Sequence, residues 1–197
     1  MCLIICEGKY DTLFLEEIIG NNSGLKTDRY TGKDQDKLYQ QQDYMESFEY
    51  RKEEILIKGE SGKDFQLQIY KNQLLDFDRK YTNHFLLWYL DGAEPENKFE
   101  KYRQELKQRF EAHQEVHLEM NIVMENQTFY SLKLTGKIAD YLFETPIIAF
   151  KSNLEEEANI NRQEHNEEQK IDRTKELASR EGIKQFFKAN LIQEILI

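Results

Sequence analysis

No stretch of this 197-residue chain is apolar for the ~20 residues a helix needs to cross a bilayer. The opening apolar run, Leu3 to Cys6, is too short for a secretory signal and lacks a basic flank and a small-residue cleavage site. A soluble, cytoplasmic protein is expected. Positive charge is also scarce: 27 Lys and Arg stand against 37 Asp and Glu, for a formal net charge of −10. Long-range attraction to nucleic acid is therefore not the default, because phosphate binding is driven by Lys and Arg. A local basic patch or a bound cation can still reverse the sign at one site. Cysteine is limited to Cys2 and Cys6. On an extended strand they lie ~13 Å apart at ~3.3 Å per residue, too far to pair, so they read as buried thiols. His84, His113, His117 and His165 have no Cys or His partner at zinc spacing. The run Gly59-x-x-Gly62-Lys63-Asp64 is shorter than a Walker A loop and lacks its Ser or Thr, so it reads as a tight turn. No internal repeat or sustained heptad is visible.

What is present can build a core: 39% of residues are hydrophobic and 12% aromatic. Leu3 to Cys6 reads as a strand buried on both faces. Asp11 or Thr12 is placed to cap a helix carrying Phe14, Leu15, Ile18 and Ile19, which should stop at the Gly20 to Gly24 cluster. Ile55-Leu56-Ile57 and "HFLLWYL", His84 to Leu90, are further strands. Between them, residues 65–75 fit a helix face better than a hairpin partner. Pro95 suits the first turn of a helix bearing Phe99, Tyr102, Leu106 and Phe110. "EVHLEMNIVM" alternates as a strand does, and a helix from Thr128 to Phe143 is expected before a last strand, "PIIAF". The charged run Glu155 to Lys170 reads as a solvated loop or helix, and "IKQFFKANLIQEILI" as an amphipathic helix packing on the body.

Alternating strands and helices predict an α/β fold: a mainly parallel sheet flanked by helices, with a helical C-terminal extension. The expected division is residues 1–150 as the α/β domain, with an insertion at 21–50 and a helix near 36–50, and residues 151–197 as the charged segment and terminal helix. In parallel sheets, ligand sites lie beyond the carboxyl ends of the strands. Glu7 ends the first strand and Asp91 the third. A phosphodiester-cleaving site needs charge neutralisation on the phosphoryl oxygens, a positioned nucleophile and a proton donor for the leaving oxygen. Mg²⁺ is held by one or two carboxylates plus waters, and two strand-end acids could supply them.

Three segments resemble the Toprim domain. "LIICEGKYDTLFLEEI" is similar to its first motif, an apolar strand followed by Glu-Gly-x-x-Asp and a helix. "LLWYLDGAEPEN" resembles the second, a strand ending in Asp-x-Asp, and "ILIKGESGKDF" lies where small Toprim proteins have a strand and a glycine turn. The likeness covers residues 1–125. It implies a Toprim/Rossmann-like fold and a Mg²⁺- or Mn²⁺-dependent nuclease, or related phosphotransfer enzyme, acting on DNA or RNA. Mobile-element or phage defence, the setting of overcoming-lysogenization-type nucleases, follows by analogy alone. The resemblance makes Glu7 the general acid/base and a metal ligand, and Asp91 the main ligand. Gly8, Lys9, Asp11 and Lys63 are candidate substrate contacts; a cap role for Asp11 is the alternative. The second Asp of the pair is replaced by Ala93, with Glu94 and Glu96 just beyond it. This departure, with the acidic net charge, favours a rival: a non-catalytic module binding a protein or nucleotide partner.

If Ala93 is a lost ligand, Ala93→Asp should tighten Mn²⁺ binding, since ligand number and charge set affinity for hard cations. If Glu94 already serves, Glu94→Gln should weaken binding instead. Calorimetric titration of Mn²⁺ into both variants separates the two.

Overall fold

The computed structural model describes residues 2–31, 54–59, 85–90, 116–138 and 141–192, together with Glu100, Gln104, Lys107 and Gln108. Strand β1, Cys2–Cys6, is buried along its whole length, as an apolar run without alternation requires. Both cysteines are buried thiols, and burial pushes the Cys2 thiol pKa up. Helix α1, Lys9–Ser23, buries Phe14, Leu15, Ile18 and Ile19 at helical spacing. It stops within the expected Gly20 to Gly24 cluster, at its far end. Asn22 Nδ2 and Ser23 Oγ donate to the Ile18 and Ile19 carbonyls at 2.6 and 2.7 Å, which satisfies the last turn. The helix ends only where Gly24 turns left-handed at φ 67°, a conformation free of Cβ strain only for glycine.

One seven-stranded sheet follows, in the order β2-β3-β1-β4-β7-β6-β5. Its members are β2 (Lys26–Thr31), β3 (Glu54–Gly59), β4 (Phe85–Leu90), β5 (Val116–Glu125), β6 (Phe129–Ile138) and β7 (Tyr141–Phe150). Neighbours from β2 through β7 are parallel, whereas β7-β6 and β6-β5 are antiparallel. The fold is therefore mixed α/β, with parallel strands on one side and an antiparallel meander on the other. After β7 come α2 (Leu154–Glu157), α3 (Glu167–Ser179), α4 (Glu181–Phe187) and a π-helical turn, Lys188–Ile192. Among the described residues, no helix is long and apolar enough to cross a membrane.

Two expectations are corrected. The stretch read as an insertion from residue 21 instead begins with the end of α1 and then β2. Among the described residues β2 pairs with β3 alone, at the edge of the sheet, where the polar sequence Lys-Thr-Asp-Arg-Tyr-Thr that concealed it is tolerated. Within the stretch 128–143, expected to be helical, Phe129–Ile138 form β6 and Tyr141 begins β7. Leu132 and Leu134 are both buried, and residues two apart share a face on a strand but not on a helix. The turn before β6 is closed by Asn126, whose Oδ1 accepts from the Thr128 and Phe129 amides at 2.8 and 2.7 Å. Pro146 is tolerated in β7 because it pairs with Lys133 of β6, while the described pairing to β4 begins only at Ile147. The readings made for residues 36–50, 65–75 and the helical face at 99–110 lie outside the described residues.

The core on one sheet face is aromatic. Phe14 of α1 meets Phe150 and Phe187 at centroid distances of 5.4 and 5.7 Å, and Phe129 meets Phe150 and Phe186 at 4.3 and 5.3 Å. Leu177, Ala178, Ile183 and Leu191 complete the cluster, so the C-terminal helices pack on the body of the sheet.

In the antiparallel half, Gly136 is paired with Phe143 and Leu118. A Cβ at this position would overlap the Phe143 ring and lie 2.7 Å from Leu118 Cδ2. Gly136→Ala should therefore lower stability by about 1–3 kcal/mol, read as a lower urea midpoint. In a helix the same change would stabilise by ~0.5–1 kcal/mol, so a raised midpoint would overturn the hairpin.

Candidate functional site

The residue after β1 is Glu7, at the carboxyl edge of the parallel strands. Extending the Ile5↔Trp88 register by two places sets Glu7 level with Leu90, the last residue of β4. From β1 the chain passes to β2 and β3 on one side; from β4 it passes to β5, β6 and β7 on the other. The connections diverge between β1 and β4, which opens a crevice beyond those strand ends. β7 is parallel to β4, so its carboxyl end delivers Leu154 to the same edge.

The turn after β1 is built by two close contacts. Gly8 caps α1, and Asp11, three residues on, accepts the Gly8 amide on Oδ2 at 2.9 Å. The cap is therefore Gly8 rather than Asp11 or Thr12, with Asp11 closing the turn from the third helical position. Asp11 is 5% exposed and thus holds the backbone rather than facing open solvent. The second contact comes from β3, where a Cβ on Gly59 would lie 2.7 Å from Thr12 Cγ2 and 2.9 Å from the Gly8 carbonyl oxygen. Only glycine lets β3 end this close to the turn.

A cleft of about 370 Å³ opens here. Glu7, Gly8, Lys9, Tyr10 and Asp11 line one wall, and Leu154, Glu155, Arg162 and Lys170 the other. Glu7 is part-buried, with Oε2 turned away from solvent. Glu167 bridges the walls: it accepts from Lys9 Nζ on Oε1 and from the Tyr10 hydroxyl on Oε2 at 2.8 Å. The Lys9 bond, then the Tyr10 bond, hold the Glu167 carboxyl below its ordinary value. Burial, then the bond to Glu167 and the nearby acidic charges, push the Tyr10 phenol up to about 12. Arg162 pairs with Glu155 through Nε at 3.1 Å and through its second terminal nitrogen, and Lys170 Nζ donates to the Arg162 carbonyl at 3.3 Å.

Of the expected site residues, Glu7, Gly8, Lys9 and Asp11 meet in this cleft, whereas Lys63, Asp91 and Glu94 lie outside the described residues. Tyr10, Glu155, Arg162, Glu167 and Lys170 were not expected here. The run containing four of them was read as solvated, and most of it is exposed. A signal was available: if "PIIAF" joins the parallel strands, the charged residues after it must start at the carboxyl edge. Among the described residues, no three side chains group to hold a metal ion. Three carboxylates, Glu7, Asp11 and Glu155, line the cleft. Comparison with protein-family models, curated proteins and solved structures finds no match to this chain.

The Tyr10–Glu167 bond predicts a pH signature. A phenol raised from 10 to about 12 favours the folded state below pH 10, and that contribution is lost as pH climbs to 12. Glu167, depressed, contributes above its ordinary range and loses the contribution in acid. The phenolate absorbance of the native protein minus that of Tyr10→Phe should titrate near pH 12, and Glu167→Gln should move it part of the way back. A midpoint near 10 would mean that neither the burial of the phenol nor its bond to Glu167 is held in solution.

Proposed function

We propose that the chain is a Toprim-like enzyme that cleaves or transfers phosphodiesters of nucleic acid, with Glu7 as its general acid/base. The supporting observation is the position of Glu7: it follows the central strand where the connections diverge, beside a glycine turn and a lysine, in an open cleft. Gly8 lets a phosphate approach the backbone, and Lys9 donates to a phosphoryl oxygen as a point charge. Glu7 takes the proton from the attacking hydroxyl or returns one to the leaving oxygen. Glu7 with Asp91 would hold Mg²⁺ or Mn²⁺, which when bound neutralises charge on the phosphoryl group.

The second reading, a non-catalytic module that binds a nucleotide or protein, is favoured by Ala93 in place of the second aspartate and by the net charge of −10. Asp11 also favours it, because its Oδ2 is bonded to the Gly8 amide. The two readings differ in what Glu7 does.

Incubation of labelled single- and double-stranded DNA and RNA with the protein in Mg²⁺ or Mn²⁺ should give cleavage that chelation stops. Glu7→Gln keeps the shape but not the base, so the rate should fall by about 10²–10⁴-fold. Cleavage that survives both treatments comes from another site or protein. Absence of cleavage, with nucleotide binding intact, selects the second reading.

A further inference from the structure

The cleft is completed by a segment that the motifs do not include. Arg162 and Lys170 lie in the stretch between α2 and the first turn of α3, and they line the same cleft as Glu7 and Lys9. Three cations, Lys9, Arg162 and Lys170, thus line one cleft beside three carboxylates, Glu7, Asp11 and Glu155, in a chain whose net charge is −10. Their present partners are weak competitors. Lys9 and Glu167 are 59% and 55% exposed, and exposed ion pairs contribute ~0–1 kcal/mol; Arg162 is 77% exposed and keeps terminal nitrogens in solvent while it pairs with the less exposed Glu155. A phosphate offers several charged oxygens at once, and Arg binds such groups through two parallel hydrogen bonds. Glu167, bonded to both Lys9 and Tyr10, presents two oxygens to the donors that an incoming phosphate oxygen would use.

Resting on the phosphodiester reading above, we propose that Arg162 and Lys170 are phosphate-binding residues of this cleft and that Glu167 is the counter-charge the phosphate displaces from Lys9. The apolar base of α3 keeps the segment in place during this exchange: Thr174, Leu177 and Ala178 are buried. No bond in the fold need break beyond the surface pairs. The ligand class is a phosphate ester, supplied either by a nucleic-acid strand or by a free nucleotide.

The test is binding without cleavage, with the full-length protein in chelator. The probe is a fluorescein-labelled single-stranded oligonucleotide followed by anisotropy, with pyrophosphate and a nucleoside monophosphate as competitors. Arg162→Gln and Lys170→Gln should each weaken oligonucleotide binding about tenfold, and Arg162→Lys should recover part of the loss. Glu167→Gln should act in the opposite direction and tighten it. Each cation removed should also reduce the slope of log affinity against log salt by about 0.7, the value for a single-strand phosphate contact. Lys137→Gln and Glu119→Gln, exposed changes on the antiparallel half, control for net charge and should leave affinity within about twofold.

If competitors at equal phosphate concentration displace the strand, free nucleotide is the source; if they do not, the strand is. Equal losses in the control and cleft variants would overturn the proposal, as would native protein that binds neither probe. So would unchanged affinity in Arg162→Gln and Lys170→Gln. If that last result accompanies Mg²⁺-dependent cleavage by the native protein, the enzyme reading stands and only the role of these two cations fails. Loss of binding in the variants, without cleavage by the native protein under any metal, leaves the phosphate site and removes the enzyme.

Discussion

The packing of Phe14 against Phe150 and Phe187 is the contact on which the rest of the arrangement depends. Three parts of the chain meet there: the helix after β1, the last residue of β7 and the C-terminal helix. All three rings are fully buried. Burial of one such side chain contributes ~1.5–3 kcal/mol, and truncating it leaves a cavity that raises the cost. Phe129 extends the cluster into β6, so the antiparallel meander is tied to the same core. Because Phe14 is on α1, its position also sets where the helix begins. Because Phe187 is on α4, it fixes how the chain must travel from the end of β7 to reach it. The route passes over the Glu7 turn.

The turn itself is held by backbone contacts rather than by charge. Gly8, Gly59 and Asp11 determine its shape, and none of them needs a ligand to do so. This bears on how the Glu-Gly-x-x-Asp pattern is understood. The aspartate of the motif has a mechanical role in this chain: it satisfies an amide that the helix start would otherwise leave without a partner. The two glycines make different contributions. Gly8 supplies the cap position, and Gly59 removes the side chain that would push the cap away. Glu7 and Lys9 alternate with these structural residues, so chemistry and scaffold are interleaved along five positions of sequence.

Elements were legible where a single local pattern decided them. The run Leu3 to Cys6 is buried on both faces and can be little else, and "EVHLEMNIVM" alternates as a strand must. β6 was misread although Leu132 and Leu134, two residues apart, share a face only on a strand; what fixes it is its pairing with β5 and β7. β2 was missed for a different reason: an edge strand is stabilised by pairing with β3, and its polar sequence carries no trace of that partner. The candidate site divides the same way. Glu7 stood out because a carboxylate and a glycine follow a buried strand. Glu167 did not, because its contact with Lys9 spans 158 residues and a charged run reads alike whether it is solvated or lines a cleft.

The cations of this cleft are compensated by nearby carboxylates, and the phosphate-site proposal requires that compensation to be exchangeable. Lys9 with Glu167 is an exposed pair, worth little to stability, whereas Arg162 reaches out from solvent to a Glu155 side chain that is only 18% exposed. What holds α3 against α1 is the buried side of the helix, where Leu177 and Ala178 join the core around Phe14, Ile18 and Ile19. The two functions are thus separated on one helix: its apolar face carries the packing, and its first turn carries Glu167 out to the cleft. Had the segment been docked by buried ion pairs, any anion entering the cleft would have had to break them, leaving uncompensated charge at a cost of several kcal/mol. With apolar docking, the charged groups can change partners while the backbone stays in place.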